Sequence, residues 1–316
     1  MKIVTITGCL GFIGSYVTEV CLERGWKVYG IDKCTYAANK ELISQFESNK
    51  NFYFVREDIC DIKWLPDCDY VINTAAETHV GNSIIDSTDF ISTNVRGVKN
   101  LLEVVRHKPD NVCERPTFFQ FSTDEVYGDI LEGFHYEGDL LNPSNPYSAS
   151  KAAADMLVQA WARTYGINYI LLRPTNNYGI RQCAEKLVPL TIKMLQRNKN
   201  VRLHDKGLPV RNWLHAADTA RAVITIIESG VQNEIFNVAG AFEQENKETV
   251  RKIIKEYHGT DEDWQKYVGW DKVREGQDVR YALNDDKLRA LGWEPQKDFE
   301  REIENIVKHY KNNFHW

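Results

Sequence analysis

Tyr147 and Lys151 stand four residues apart in Pro146-Tyr147-Ser148-Ala149-Ser150-Lys151. On a helix that spacing puts both side chains on one face. An ammonium beside a phenol favours the phenolate and lowers its pKa. Tyr147 is therefore a candidate base for a hydroxyl proton that departs as a hydride leaves the same carbon. A second cluster reads Phe121-Ser122-Thr123-Asp124-Glu125-Val126-Tyr127-Gly128. Thr123 is placed to hydrogen-bond a reacting oxygen. Hydroxyl, phenol and ammonium suffice for alcohol–ketone interconversion, so the adjacent carboxyls of Asp124 and Glu125 imply further acid–base work. An elimination needs a base for one proton and an acid for a departing hydroxyl. Two carboxyls fill both roles if their surroundings split their pKa values. The plainer reading of the pair is a solvated acidic turn that caps a helix.

A cofactor site precedes these residues. Gly8-Cys9-Leu10-Gly11-Phe12-Ile13-Gly14 follows a strand pattern and opens a helix pattern. The first glycine suits a tight turn, the second lets the backbone approach a pyrophosphate, and the third lets helix and sheet pack closely. Asp32 ends the next strand, where a carboxylate accepts ribose hydroxyls and repels a 2′-phosphate. That favours NAD over NADP, though Lys33 beside it works the other way. Asp58 and Ile59 fall where an adenine would lie, or in an ordinary loop. Thr74-Ala75-Ala76 offers small residues near a cofactor.

These residues need a scaffold. Strand patterns fall at 3–6, 28–31, 52–55, 70–72, 117–121, 169–172 and 234–238. Helix patterns fall between them, notably at 90–105, 149–164 and 216–227. Such alternation implies right-handed βαβ units. The expected fold is α/β, a Rossmann-type doubly wound parallel sheet with a smaller, mostly C-terminal substrate lobe. The expected division is 1–173 with 213–239 for the cofactor domain, and 174–212 with 240–316 for the lobe. The lobe carries helix patterns at 187–195, 250–257, 285–290 and 299–310.

Composition narrows the classes. At 316 residues, 43% hydrophobic and 27% charged, the chain can bury a large core and is not a disordered polymer. A net charge of −6 argues against a nucleic-acid partner. No apolar run is long enough for a bilayer span, and the N-terminus enters a strand without a signal-peptide pattern. Cys9, Cys21, Cys34, Cys60, Cys68, Cys113 and Cys183 are odd in number and lack Cys-x-x-Cys spacing, so buried reduced thiols in a cytoplasmic protein are expected and no metal site is implied.

The motifs together resemble the nucleotide-sugar 4,6-dehydratases, extended short-chain dehydrogenases. The resemblance is closest to members acting on dTDP-glucose. It runs almost the full length. Beyond the two catalytic clusters it includes Asp32-Lys33-Cys34-Thr35-Tyr36-Ala37-Ala38-Asn39, Ala75-Ala76-Glu77-Thr78-His79-Val80, Asn176-Asn177-Tyr178-Gly179, Glu185-Lys186-Leu187, Arg211-Asn212-Trp213 and Gly292-Trp293. By resemblance the cofactor is NAD, held by Gly8, Gly11, Phe12, Ile13, Gly14, Asp32, Lys33, Thr35, Asp58, Ile59, Ala75, Ala76, Tyr147 and Lys151. Glu77, His79, Asn176, Lys186, Leu187, Arg202, His204, Arg211 and Arg274 would line the substrate site. The implied reaction oxidises C4 through Tyr147 and Lys151, with Thr123 holding the oxygen. Glu125 then removes the C5 proton, Asp124 protonates the departing C6 hydroxyl, and the hydride returns to C6.

Three segments depart from the family pattern. Arg202-Leu203-His204 replaces Pro-x-Tyr, which leaves the nucleobase open. His79-Val80-Gly81-Asn82-Ser83 replaces His-Val-Asp-Arg-Ser, which leaves the hexose open. Arg274-Glu275-Gly276-Gln277-Asp278 replaces Arg-Pro-Gly-His-Asp. UDP-glucose or another nucleotide hexose is the alternative substrate. A 4-epimerase, a UDP-glucuronate decarboxylase or a catalytically silent NAD-binding regulator are the alternative functions. Epimerases typically lack ionisable groups at 124–125 and decarboxylases resemble Ser-Glu there, so the intact Thr123-Asp124-Glu125 argues against both. Relatives pair the helices that correspond to 90–105 and 149–164, which implies a homodimer.

Overall fold

The computed structural model describes residues 1–108 and 115–312; Cys113 lies outside them. Among the described residues twelve strands follow one another: β1 Ile3–Thr7, β2 Lys27–Ile31, β3 Phe52–Val55, β4 Tyr70–Asn73, β5 Thr117–Phe121, β6 Tyr169–Pro174, β7 Asn176–Tyr178, β8 Val201–His204, β9 Val210–His215, β10 Glu234–Val238, β11 Phe242–Glu245 and β12 Val268–Asp271. Seven of them form one sheet in the order β3-β2-β1-β4-β5-β6-β10, and every pairing in it is parallel. The expected Rossmann-type sheet is therefore present. β4 and β5 are buried at every position, as strands covered on both faces must be. The chain order reverses between β1 and β4, so the crevice beyond their carboxyl ends is the expected ligand site.

Two helices carry most of the positioning. Phe12–Glu23 begins directly after the glycine turn and packs on Ala216–Ser229. Pro146–Tyr165 holds Tyr147 in its first turn. Its start is fixed by a capping box: Asn145 accepts the Ser148 amide and the Ser148 hydroxyl accepts the Asn145 amide. Gly166 ends it in the left-handed conformation.

The pattern at 90–105 suggests one continuous helix, and here the structure differs. The segment runs as α-helix over Thr88–Phe90, π-helix over Ile91–Gly97 and α-helix over Val98–Arg106. The reason lies in Asn94, inside the π stretch. Its side chain accepts from the Glu77 amide at 2.9 Å and donates to Glu77 O at 3.0 Å and to Ser150 Oγ at 2.9 Å. Those bonds compensate for the poorer helical register, a common trade near functional sites.

The second lobe holds the three-stranded sheet β11-β9-β7 and the pair β12-β8. Its core packs Tyr178, Val188, Ile192, Val250, Phe299 and Ile306 between the helices Leu187–Gln196, Asn246–His258 and Phe299–Asn312. β9 runs through residues 212 and 213, so it enters the lobe sheet before the chain returns to the main one as helix Ala216–Ser229. No helix among the described residues is long and apolar enough to cross a membrane.

Candidate active site

The glycine turn is built for close approach. Gly8 has φ +70°, and a Cβ there would lie 2.7 Å from Ala75 N. A Cβ on Gly14 would lie 2.0 Å from Gly8 O. The first helical turn can therefore sit directly against the loop that must face a pyrophosphate. Gly14→Ala is expected to cost about 1–3 kcal/mol of stability and to release bound dinucleotide. Thermal melting and cofactor retention through gel filtration check both effects.

Asp32 closes the other end. Leu10 N donates to Oδ2 at 3.1 Å and Cys34 N to Oδ1 at 2.7 Å. Each oxygen keeps acceptor capacity for a ribose hydroxyl. Burial raises the Asp32 pKa against these amides. Lys33 reaches Asp58 at 3.5 Å and Glu77 at 3.8 Å, so its charge is occupied by carboxylates. Gly8, Gly11, Thr35, Ala75 and Ala76 join Asp32 and Asp58 around a cleft of about 90 Å3. Ile59 lies there too, and its packing against Gly97 leaves no room for a Cβ at 97. Glu77, expected on the sugar side, lines this cofactor cleft. A dinucleotide fits the donors present: amides and glycines at one end, a ribose-accepting carboxylate at the other.

A second cleft of about 270 Å3 continues from the glycine turn past Phe12 and Ile13 to Thr123, Asp124, Glu125 and Tyr147. Burial raises the pKa of both carboxyls. Asp124 is buried, and burial with the neighbouring Glu125 charge pushes its pKa up to about 7. Thr123 Oγ1 donates to Asp124 Oδ1 at 3.0 Å, while Oδ2 is buried with no hydrogen-bond partner. Burial also raises Glu125, but Arg211, the Asn145 amide, Lys186 and Arg274 all oppose it. Asn145 Nδ2 lies 3.4 Å from Glu125 Oε2. Burial thus favours the protonated form of both carboxyls and Arg211 opposes it at both, while Lys186 and Arg274 add to that opposition at Glu125. An elimination requires one charged and one protonated carboxyl, and the extra cations at Glu125 bias the pair that way.

The phenol differs from its sequence expectation. Burial raises the Tyr147 pKa, and the Glu125 and Asp124 charges add to the rise. Lys151 donates to Phe121 O at 2.6 Å, and burial lowers its own pKa to about 8. The protein alone therefore holds Tyr147 as a neutral phenol. Ser83 accepts the Tyr147 amide at 3.2 Å, which fixes this helical turn.

A third cleft of about 340 Å3 shares Val80, Glu125, Asn176 and Lys186 with the second and extends towards β8. His79, Leu187, Arg202, His204, Arg211 and Arg274 all line it. Asn176 Oδ1 and Arg274 Nε are buried there without hydrogen-bond partners. Lys186 Nζ donates to Thr78 O at 2.8 Å. Arg211 donates to Val210 O and Asp278 O and lies over the Tyr281 ring at 4.6 Å. Arg202 is turned onto Asp271 of β12, with Nε 2.9 Å from Oδ1. His204 Nδ1 meets Lys272 O at 3.1 Å, and His79 Nδ1 accepts the Asn82 amide at 3.0 Å.

Sequence reasoning missed Asn94, Asn145, Asp271 and Tyr281. Asn145 carried a readable signal, since Asn before Pro opens helices. Asn94 and Asp271 act on partners far along the chain, which no local pattern marks.

The sheet order, the glycine turn and the helix that carries Tyr147 and Lys151 define an extended short-chain dehydrogenase. Within that class the chain belongs to the GDP-mannose 4,6-dehydratase family, whose model matches residues 5–306. It is 39% identical over 336 residues to the dTDP-glucose 4,6-dehydratase of Haemophilus influenzae, covering 99% of each chain. The crystal structure of DesIV, a dTDP-glucose 4,6-dehydratase from Streptomyces venezuelae with NAD bound, matches at TM-score 0.91 and 33% identity. That match covers 98% of this chain and 97% of that one. The UDP-glucose 4-epimerase of Thermotoga maritima, solved with UDP-glucose, matches at TM-score 0.84 and 25% identity over 99% of this chain and 100% of that one. Because an epimerase shares the fold, the side chains of the site must carry the choice of reaction.

Proposed function

We propose that this protein catalyses the NAD-dependent dehydration of a nucleotide-diphosphate hexose, dTDP-glucose first, to the 4-keto-6-deoxy sugar. The observation that carries the reading is the Asp124–Glu125 pair itself, two carboxyls in the same cleft as Tyr147. Bound NAD+ supplies the hydride acceptor at C4 and the donor at C6. Tyr147 accepts the C4 hydroxyl proton, with Thr123 holding the oxygen. Lys151, on the same helix face, favours the phenolate that burial opposes. A C4 ketone acidifies C5, and Glu125 takes that proton. Asp124 delivers its proton to the departing C6 hydroxyl. Lys186, Arg211 and Arg274 bind the diphosphate, for which guanidinium forks are suited. The unpartnered Asn176 Oδ1 and Arg274 Nε support a polar ligand at that end.

The division into a cofactor domain, 1–173 with 213–239, and a substrate lobe, 174–212 with 240–316, belongs to the same reading. So does a homodimer through the segments 90–105 and 149–164. With Cys9, Cys21, Cys34, Cys60 and Cys183 as thiols, we place the enzyme in the cytoplasm, with no nucleic-acid partner. The test is a panel incubation with dTDP-glucose, UDP-glucose and other nucleotide hexoses, read by mass spectrometry for water loss and by proton NMR for configuration. Loss of one water from a panel member is the expected result. A change of configuration without water loss would replace the dehydratase reading with an epimerase.

A further inference from the structure

Asn145 stands before Pro146 and opens the helix that carries Tyr147 and Lys151. It is buried, and its polar groups are engaged. Its backbone amide donates to Ser148 Oγ at 3.2 Å. Its carbonyl accepts from Ala149 N at 2.9 Å. Its side-chain Oδ1 accepts the Ser148 amide at 3.0 Å. Its Nδ2 donates to Glu125 Oε2 at 3.4 Å. The Ser148 amide settles which way the side chain faces, because only an oxygen can accept it. One side chain therefore joins the helix of the Tyr–Lys pair to the turn of the carboxyl pair.

Capping alone does not call for asparagine. Asp and Ser cap about as well, and Thr nearly so. Of these only asparagine offers an oxygen for the cap and a separate NH2 for a second partner. The neighbouring segment holds it in place. Ser144 Oγ and Tyr281 Oη both donate to Asp278 Oδ2 at 2.5 Å. A Cβ on Gly276 would lie 2.6 Å from Ser144 O and 3.2 Å from Asn145 Cβ. The stretch that brings Arg274 to the cleft thus rests directly against Asn145.

We propose that Asn145 is a positioning residue for Glu125: its oxygen caps the helix of Tyr147, and its NH2 holds the Glu125 carboxylate in the orientation from which it takes the C5 proton. The proposal rests on the reading of Glu125 as that base. Other charged and titratable groups surround Glu125. Asp124 adjoins it in the turn, and Tyr147 faces it from the helix. Arg211 on β9, Lys186 before helix Leu187–Gln196, and Arg274 and Tyr281 beyond β12 complete the set. The cations attract the carboxylate without aiming it. A hydrogen bond to Oε2 fixes the rotation of the carboxyl and favours its charged form.

The test uses NAD-loaded wild type, Asn145→Ser and Asn145→Asp. Both variants keep a capping oxygen, so the helix start is retained. Serine withdraws the amide donor, and aspartate puts a second carboxylate beside Glu125. Single-turnover kinetics use a nucleotide sugar that the wild type dehydrates. Nicotinamide reduction reports the C4 step, and deuterium uptake at C5 from deuterated water reports the next. Nicotinamide reduction should keep its wild-type rate. The C5 step should fall about tenfold in Asn145→Ser and further in Asn145→Asp, with steady-state KM unchanged. Its acid limb should move up by about one pH unit, since a lost donor or an added like charge favours protonated Glu125. A wild-type C5 step in both variants overturns the proposal. An equal fall in both steps also overturns it, because Asn145 would then be a cap alone. If Asn145→Ser does not fold, Asn145→Asp decides on the same readouts. If the wild type dehydrates nothing, the dehydratase reading falls. Infrared titration of the Glu125 carboxyl, with Glu125→Gln as the blank, then decides the role of Asn145: an upward shift in Asn145→Ser supports it, and an unmoved titration overturns it.

Discussion

Tyr147→Phe should lower kcat by about 10³-fold, the usual scale for losing a positioned general base. The loss belongs to the first step. Without the hydroxyl, Thr123 Oγ1 stays committed to Asp124 Oδ1 at 3.0 Å and Lys151 Nζ to Phe121 O at 2.6 Å, so neither replaces it as the acceptor of the C4 proton. Phenylalanine keeps the ring, so the edge contact with Phe90 at 6.4 Å and the fold around Ser83 persist. KM should therefore stay near the wild-type value, and bound NAD should stay oxidised when substrate is added. Stopped-flow absorbance of the nicotinamide checks this directly. Prompt cofactor reduction in the phenylalanine variant would assign the base elsewhere.

The same residues show how far the sequence reaches. The seven strands of the main sheet were legible because parallel strands read as short apolar runs between glycine turns. The Tyr147–Lys151 face was legible because a four-residue spacing has one meaning on a helix. The lobe was harder. β7, β8, β11 and β12 are three or four residues long, and β8 alternates buried with exposed positions for only four residues. Patterns that short do not separate from loops. The π stretch at Ile91–Gly97 keeps the apolar spacing of a helix, so only the bonds of Asn94 reveal it.

Site residues divide on the same principle. Asp32 and Gly14 are fixed by local geometry, and both lie where their spacing put them. Glu77 lines the cleft around Asp32, where Asn94 takes its amide and Lys33 faces its carboxylate. Arg202 lines the third cleft. What the sequence could not show is that Asp271, 69 residues later, takes its guanidinium. The β8 end of the cleft thus carries a neutralised pair in place of a lone cation. That weakens any argument that Arg202 repels or attracts a base by net charge.

Asp124→Asn separates the chemical steps. Asparagine matches aspartate in shape but has no acidic proton to deliver. Elimination should slow by about 10²–10⁴-fold, while C4 oxidation by Tyr147 continues. Reduced nicotinamide should then accumulate on the enzyme, because its hydride has no C6 acceptor. Glu125 remains able to exchange the C5 proton, so substrate recovered from deuterated water should carry deuterium at C5. Glu125→Gln should lose that exchange instead. The pH dependence has a definite sign. Burial and the Glu125 charge raise the Asp124 pKa to about 7, so its protonated fraction falls as pH rises through that value. Wild-type elimination should decline above about pH 7 while C4 oxidation, which needs a deprotonated Tyr147, does not. Single-turnover kinetics that follow water loss and cofactor absorbance together resolve the two limbs. Wild-type water loss in the asparagine variant would give the acid role to another group and leave the raised pKa of Asp124 without a catalytic use.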